Sequence, residues 1–505
     1  MSVMIGRRLS IEDVVAVANG AQRVDVSAGV APLMEKTREV VRRHLDDDNP
    51  HYGVNTGFGA LAEVRISHDD LARLQLNLIR SHASGVGDPM PTPVVRAAML
   101  LRASVLATGL SGVRIDLVHQ LAAMLNARIH PLVPSRGSVG ASGDLAPLAH
   151  VALAMIGEGD CDVEGRNMPA AEALKSAGLK PLVLEPKEGL SLVNGTQFMT
   201  AAGCLALFDA EHLTRAADIV GAMSLEAVLG TPEAFDAGIM EARPHPGQAA
   251  SANLLRRVIE GSDIRESHRE CAKVQDPYSL RCMPQVHGAV RDSLAHIRGV
   301  LDVEINSATD NPLVFDDGRI VSGGNFHGAP ISIAMDLLAI AVSELGSISE
   351  RRVEHLLNPA LSQGLTPFLA SRSGLCSGYM ISQVAAASLV SENKVLAHPA
   401  SVDSIPSSAN REDHVSMGMT AALKARDVVK NTHTVLAIEA MCASAGLDQR
   451  LPKRPGMALR AAHEAIRAHV PPLDGDRKPS EDIKTLEGLL RPGGGIVETA
   501  LAALE

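Results

Sequence analysis

The sequence predicts a mainly α chain in two parts. An N-terminal domain over residues 1–200 is built around a Gly-rich loop at Ala141-Ser142-Gly143, and a long-helix bundle over 201–505 ends in shorter helices. Three observations predict this. Apolar-periodic stretches at 198–228, 285–303, 329–357, 376–396 and 415–445 run well beyond strand length, and several long helices in one region imply a bundle. Aromatics make up 2% of the chain, with no Trp, so the 46% hydrophobic fraction rests on Ala, Leu, Val and Met, which suits closely packed helices. At 505 residues the chain exceeds the usual size of a single core.

Taken in order, amphipathic helices are expected at Ile11–Ala18 and 30–44, then a Gly-rich loop over 51–60. Helices follow at 69–81 and 93–108. The loop within 130–150 leads into an apolar helix over 145–156, with Asp144 as its N-cap and Pro147 in its first turn. Residues 158–190 are polar and spaced by Gly and Pro, and read as short strands and turns. Irregular loops at 231–247, 271–284, 305–328 and 400–414 separate the long helices, and 448–505 returns to shorter ones. Chemistry-bearing residues gather in these loops, the usual arrangement on a rigid scaffold.

Bulk properties narrow the function. A net charge of −11 with no basic run argues against nucleic acid or an anionic membrane as partner. The six cysteines (Cys161, Cys204, Cys271, Cys282, Cys376, Cys442) form no CxxC pair, which predicts a reduced cytoplasmic setting without a disulfide framework or zinc site. The first residues lack the apolar core of a signal peptide, and no uninterrupted apolar run is long enough to span a bilayer. With no HExxH spacing and no Walker loop, neither a metal nor a nucleotide is expected.

The most informative string is Gly137-Ser138-Val139-Gly140-Ala141-Ser142-Gly143-Asp144-Leu145-Ala146-Pro147-Leu148. A backbone nitrogen reaches a carbonyl two residues back only in a very tight bend. Gly143 has no Cβ, so its nitrogen approaches the Ala141 carbonyl at little steric cost. Loss of one water in that closure, and of a second from the Ser142 hydroxyl, leaves a ring with an exocyclic methylidene. That group is an electrophile no ordinary side chain supplies. The N-terminus of the following helix adds partial positive charge. The other candidate loops read blandly by themselves. Tyr52 in 51–59 is one of three tyrosines and reads as a packed loop residue; the glycine spacing there is not that of a dinucleotide loop. Asn194-Gly195 reads as a turn. In 275–285, Tyr278 is the second tyrosine and Arg281 suits bidentate pairing with a carboxylate.

The 137–148 string resembles the signature of the aromatic amino acid ammonia-lyases, and the resemblance runs from about residue 49 to the last helices. It implies that Ala141, Ser142 and Gly143 mature autocatalytically into 4-methylideneimidazole-5-one (MIO). Ser142 then supplies the methylidene, Tyr52 removes the β-proton of the substrate, and Tyr278 stands by the prosthetic group. An ordinary Tyr has a pKa of about 10, so a basic Tyr52 needs positive charge or helix dipoles nearby. The resemblance further assigns Asn194 and Arg281 to the substrate carboxylate, Gln275 to substrate positioning and Phe326 to the pocket wall. Asp310 and Asn311 are expected only as scaffolding.

Substrate choice follows from two places. Relatives that prefer tyrosine carry His-Leu, and phenylalanine lyases Phe-Leu, where this chain has Ser81-His82. Those relatives usually carry Gln at the place of Glu412. His82 and Glu412 together resemble the histidine-deaminating branch, since a neutral imidazole offers one donor and one acceptor. Arg411 departs from the pattern, standing where the family often has Gln. The implied reaction is non-oxidative: L-histidine gives trans-urocanate and ammonia, a carbon–nitrogen lyase step of histidine breakdown. Alternatives within the family are a tyrosine or phenylalanine lyase or an aminomutase; outside it, a non-catalytic helical oligomer. The resemblance also implies a homotetramer whose sites draw residues from three subunits.

Overall fold

Long apolar-periodic sequence becomes long helix. Gln197–Ala227, Met283–Glu304, Ala329–Leu357 and Gly418–Asp448 are helices of 31, 22, 29 and 31 residues. They belong to a computed structural model that describes residues 2–45, 50–271 and 273–505. Met1, residue 49 where the family resemblance begins, and Ala272 of the 271–284 loop lie outside the described residues. The chain is mainly α, as its composition and periodicity predict. It divides into two compact units: 1–205 with 298–336 and 399–423, and 206–297 with 337–398 and 424–505.

In the first unit the helix Thr92–Ala107 is buried at every position from Val94 to Ala107. Its sequence is apolar on all faces, and Ala97, Ala98, Ala103 and Ala107 let neighbouring backbone come close. Two cations break that apolar run. Arg96 donates from Nε to Val17 O at 2.8 Å and from a terminal nitrogen to Leu125 O at 3.1 Å, so it satisfies the last turns of Ile11–Ala18 and Asp116–Asn126. Arg102 is described below. Ser10 and Asp13 form a capping box that opens Ile11–Ala18. Short strands complete this unit. Ser2–Ile5 pairs in parallel with Arg23–Val26, and Ile129–Pro131, Asp160–Val163 and Arg166–Pro169 form an antiparallel sheet in that order. Val40, Val41, Val54 and Val314 form one apolar cluster that holds the loop containing Tyr52.

Among the described residues, the named elements of the second unit are all helices. The stretch 231–247, expected to be irregular, is largely helical: Pro232–Phe235 and Ala237–Ala242 precede Pro246–Ile259. Thr231 and Asp236 explain it, because each side chain caps the turn that follows. The 271–284 loop likewise contains a helical turn, Tyr278–Arg281. Ala329–Leu357 is long and apolar enough, by length and composition, to cross a bilayer, but Asp336 and Glu344 interrupt it and 67% of its most apolar stretch is buried inside the chain.

Asp144 corrects another expectation. It precedes Leu145–Met155, yet its side chain makes no cap to that helix. Its carboxylate accepts from Met199 N at 2.8 Å and from Ser138 Oγ at 2.9 Å. Asp144 therefore satisfies the first turn of Gln197–Ala227 instead, and its own N–H donates to Gly195 O at 2.7 Å.

Candidate active site

The Ala141-Ser142-Gly143 turn is held by backbone. Gly140, Ser142 and Gly143 have φ of 82°, 50° and 80°. Positive φ is open to Gly but costs Ser142 on the order of 1–3 kcal/mol, so the surroundings must impose it. They do so through Gly195, whose N donates to Ser142 O at 3.1 Å while its O accepts from Asp144 N. Gly143 N also points back to Gly140 O at 3.4 Å. A Cβ on Gly143 would overlap Gly195 O, so only glycine fits. This geometry fits the prosthetic group that the resemblance implies. The nitrogen that must close the ring belongs to the residue without a Cβ, and the bend is already built.

Burial drives the Asp144 carboxyl up to about 7, against hydrogen bonds from Met199, Ser138 and Phe198 that pull it down. The sign follows by linkage. A raised folded-state pKa gives stability that is fully present below about pH 4 and is lost as pH rises to about 7. Asp144→Asn removes that slope. The difference in guanidinium midpoint between native and variant is expected to shrink from pH 4.5 to pH 7.5, and a constant difference would contradict the assignment.

Around this turn the first unit gathers several side chains named from the sequence. Glu412 accepts from Ser142 Oγ at 3.2 Å with one oxygen and from Ser407 Oγ at 2.6 Å with the other. His82 lines one cavity of about 190 Å³ with Ser84, Ala141 and Gly143. That volume lies below the ~300–1,000 Å³ of drug-sized pockets and suits an amino acid. His82 Nδ1 is 2.9 Å from Leu78 O. A carbonyl only accepts, so in the neutral ring Nδ1 carries the proton and Nε2 the lone pair. Burial lowers the His82 pKa, opposed by the Leu78 bond and the Glu412 charge, so the ring is neutral at neutral pH.

Tyr52 accepts from Gly59 N at 3.3 Å and meets Phe58 edge to face at 6.4 Å. The expected lowering of its pKa is absent. Burial raises it, the Gly59 bond opposes, the Glu412 charge raises it further and Arg411 lowers it. Arg411 itself is exposed and lies 3.5 Å from Glu63. Asn194 is buried. Its Nδ2 donates to Asp310 Oδ1 at 3.3 Å and to Asn311 O at 3.1 Å. Phe326 is half-buried in the loop before Ala329–Leu357 and makes no hydrogen bond or ring contact with these groups among the described residues.

Gln275, Tyr278 and Arg281 belong to the second unit. Gln275 is exposed and Tyr278 is 71% exposed, with the Arg281 guanidinium 4.6 Å over its ring. Asp276 anchors this segment by accepting from Thr231 N at 2.7 Å and pairing with Lys273 at 2.7 Å.

Sequence reasoning missed Gly195 as the backbone partner of Ser142, and missed the buried Arg102 and Lys187 that surround Asp310, which was expected only as scaffolding. Lys187 Nζ lies 3.2 Å from Asp310 Oδ2, both fully buried, and burial lowers the Lys187 pKa. Arg102 stood in the sequence as one of only two charges in an apolar helix, a signal of a paired or functional cation.

Comparison with known proteins matches the chain in sequence and in fold. The family model for aromatic amino acid lyase matches residues 9–468. A histidine ammonia-lyase from Anaeromyxobacter sp. (strain K) is 57% identical over 499 residues, covering 97% of this chain and 98% of that one. One from Myxococcus xanthus is 56% identical over 489 residues, covering 97% and 96%. Among solved structures, histidine ammonia-lyase from Trypanosoma cruzi superposes with a TM-score of 0.92 at 41% identity, covering 100% of this chain and 96% of that one. Tyrosine aminomutase from Streptomyces globisporus superposes with a TM-score of 0.94 at 39% identity, covering 99% and 98%. With Ser142, His82 and Glu412 gathered at one turn and the family model spanning most of its length, this chain belongs to the aromatic amino acid lyase family.

Proposed function

We propose that this chain eliminates ammonia from L-histidine to give trans-urocanate. The observation that carries the reading is the neutral His82 lining the same cavity as Ala141 and Gly143, with Glu412 bonded to Ser142. The names of the similar proteins support it. An MIO group formed from Ala141, Ser142 and Gly143 supplies an electrophilic methylidene carbon at Ser142. The chain's own residues do the rest. His82 Nε2 and the Glu412 carboxylate both accept, so the substrate ring is held as imidazolium, donating one N–H to each. Arg281 grips the carboxylate bidentately, with Asn194 and Gln275 orienting it and Phe326 closing the wall. Tyr52 takes the β-proton, with Tyr278 beside the reacting centre. Burial holds the Tyr52 phenol protonated in the single chain, so its basic form needs added positive charge as the site is completed.

That completion is the reason for a homotetramer. The exposed Tyr278 and Gln275 find their place in a site shared between copies. Ile381, Val384 and Val395, exposed along Met380–Leu396, supply an apolar face for association. All six cysteines are free thiols, which suits a cytoplasmic enzyme.

Urocanate absorbance with L-histidine as substrate, beside L-tyrosine and L-phenylalanine, tests the reading. Turnover of tyrosine or phenylalanine alone would overturn the substrate. His82→Leu is expected to lower kcat/KM for histidine by about 10–100-fold, the effect of one lost hydrogen bond in a buried site. Unchanged histidine turnover in that variant would remove His82 from substrate selection.

A further inference from the structure

We propose that Arg102 sharpens the electrophile at Ser142 through the Asn194–Gly195 peptide, as a positioning residue that touches no substrate. The inference rests on the reading above only in requiring that the ring forms.

Arg102 is fully buried in Thr92–Ala107. Its NH1 donates to Asn194 O at 2.6 Å, a charge-assisted bond. The nitrogen of that same peptide unit, Gly195 N, donates to Ser142 O at 3.1 Å. The two bonds therefore lie in series: guanidinium, Asn194 carbonyl, Gly195 N–H, Ser142 carbonyl. A cation on the oxygen of an amide draws charge from its nitrogen and makes the N–H a stronger donor, and low dielectric increases the effect.

Ser142 O is the atom where that matters. Closure of Gly143 N on the Ala141 carbonyl carbon puts the Ser142 carbonyl inside the ring, conjugated with the methylidene made from Ser142 Cβ. A nucleophile that bonds to Cβ breaks the Cα–Cβ π bond and sends the electron pair to Ser142 O; a proton from water at Cα then closes the balance. A strengthened donor at Ser142 O stabilises the charge that develops there.

The surroundings keep the Arg102 charge available. Two cations, Arg102 and Lys187, share one anion, Asp310, and Asp310 lies within hydrogen-bond distance of Lys187 and Asn194. Nε and NH2 of Arg102 are buried without a hydrogen-bond partner among the described residues. An arginine kept only to tie the core together would satisfy them.

The test compares the native chain, Arg102→Lys and Arg102→Met, each as the full purified protein. Intact mass counts the ring as a loss of two waters, and the near-ultraviolet band of the ring follows the addition of cyanide in the absence of histidine. In Arg102→Met the ring is expected to form and to add cyanide about tenfold more slowly, while Arg102→Lys, which keeps the charge, stays within about threefold of native. Equal rates in native and Met variants would overturn the proposal. So would failure of both variants to fold or to form the ring, which would leave Arg102 a packing residue. Histidine turnover by the native chain is recorded alongside. A native ring that adds cyanide without deaminating histidine would sink the substrate reading and leave this one standing.

Discussion

Ser142→Ala is expected to leave a folded chain that deaminates histidine at least about a thousandfold more slowly, a barrier increase of roughly 4 kcal/mol. Its mass will lack the loss of two waters expected of the native chain. The β-proton of histidine is weakly acidic and ammonia leaves poorly from an unactivated carbon, so an electrophile is needed that Ala cannot become. The variant should keep its fold, because the bend belongs to the backbone. Gly195 N still donates to residue 142, and Asp144 still bonds Met199 N and Ser138. Gly143→Ala makes the contrast. Its Cβ overlaps Gly195 O at a φ of 80°, so this variant loses the turn as well as the ring. A Ser142→Ala chain lower in activity but native in thermal midpoint, beside a Gly143→Ala chain lower in both, separates chemistry from folding. Native turnover by Ser142→Ala would end the prosthetic-group reading.

The helices and the Ser142 loop were legible in the sequence because each rests on a local pattern. Periodicity marks the helix Gln197–Ala227, and small residues in a row mark a tight bend. Contacts between distant backbone atoms leave no such mark. Gly195 holds Ser142 and Asp144 through main-chain groups alone, so its side-chain identity says little beyond a turn. Asp144 looked like the cap of its own helix because it sits just before it. The donors it serves, at Phe198 and Met199, are distant in sequence. Tyr52 shows the limit for electrostatics. Its neighbours Glu412 and Arg411 come from a remote loop, and burial, which sequence does not report, outweighs both. The Ser142–Glu412 bond spans 270 residues, and only resemblance to a family joined those loops beforehand.

In the second unit, Glu439→Ala is expected to destabilise the chain by about 3–5 kcal/mol, because it strands a buried guanidinium. Arg352 pairs with Glu439 bidentately, from Nε at 2.5 Å and NH2 at 2.8 Å, and both side chains are fully buried. Ser224 Oγ at 2.7 Å and Ser349 Oγ at 2.5 Å donate to the remaining lone pairs of Glu439. Removing both charges in Arg352→Met with Glu439→Leu should recover most of the lost stability, since an apolar pair of similar volume replaces a pair that was costly to desolvate. Guanidinium midpoints at fixed protein concentration check this, and a double variant no more stable than Glu439→Ala would refute it. Function should not recover with stability. Arg352 NH1 also donates to Ser279 O at 3.4 Å, inside the turn Tyr278–Arg281, and His287 lies 3.4 Å from the same nitrogen. A Met at 352 cannot hold that carbonyl. The stable double variant is therefore expected to show a raised KM for histidine with its ring intact by mass, because Arg281 would be less well placed for the carboxylate. A native KM would mean that the buried ion pair serves folding alone.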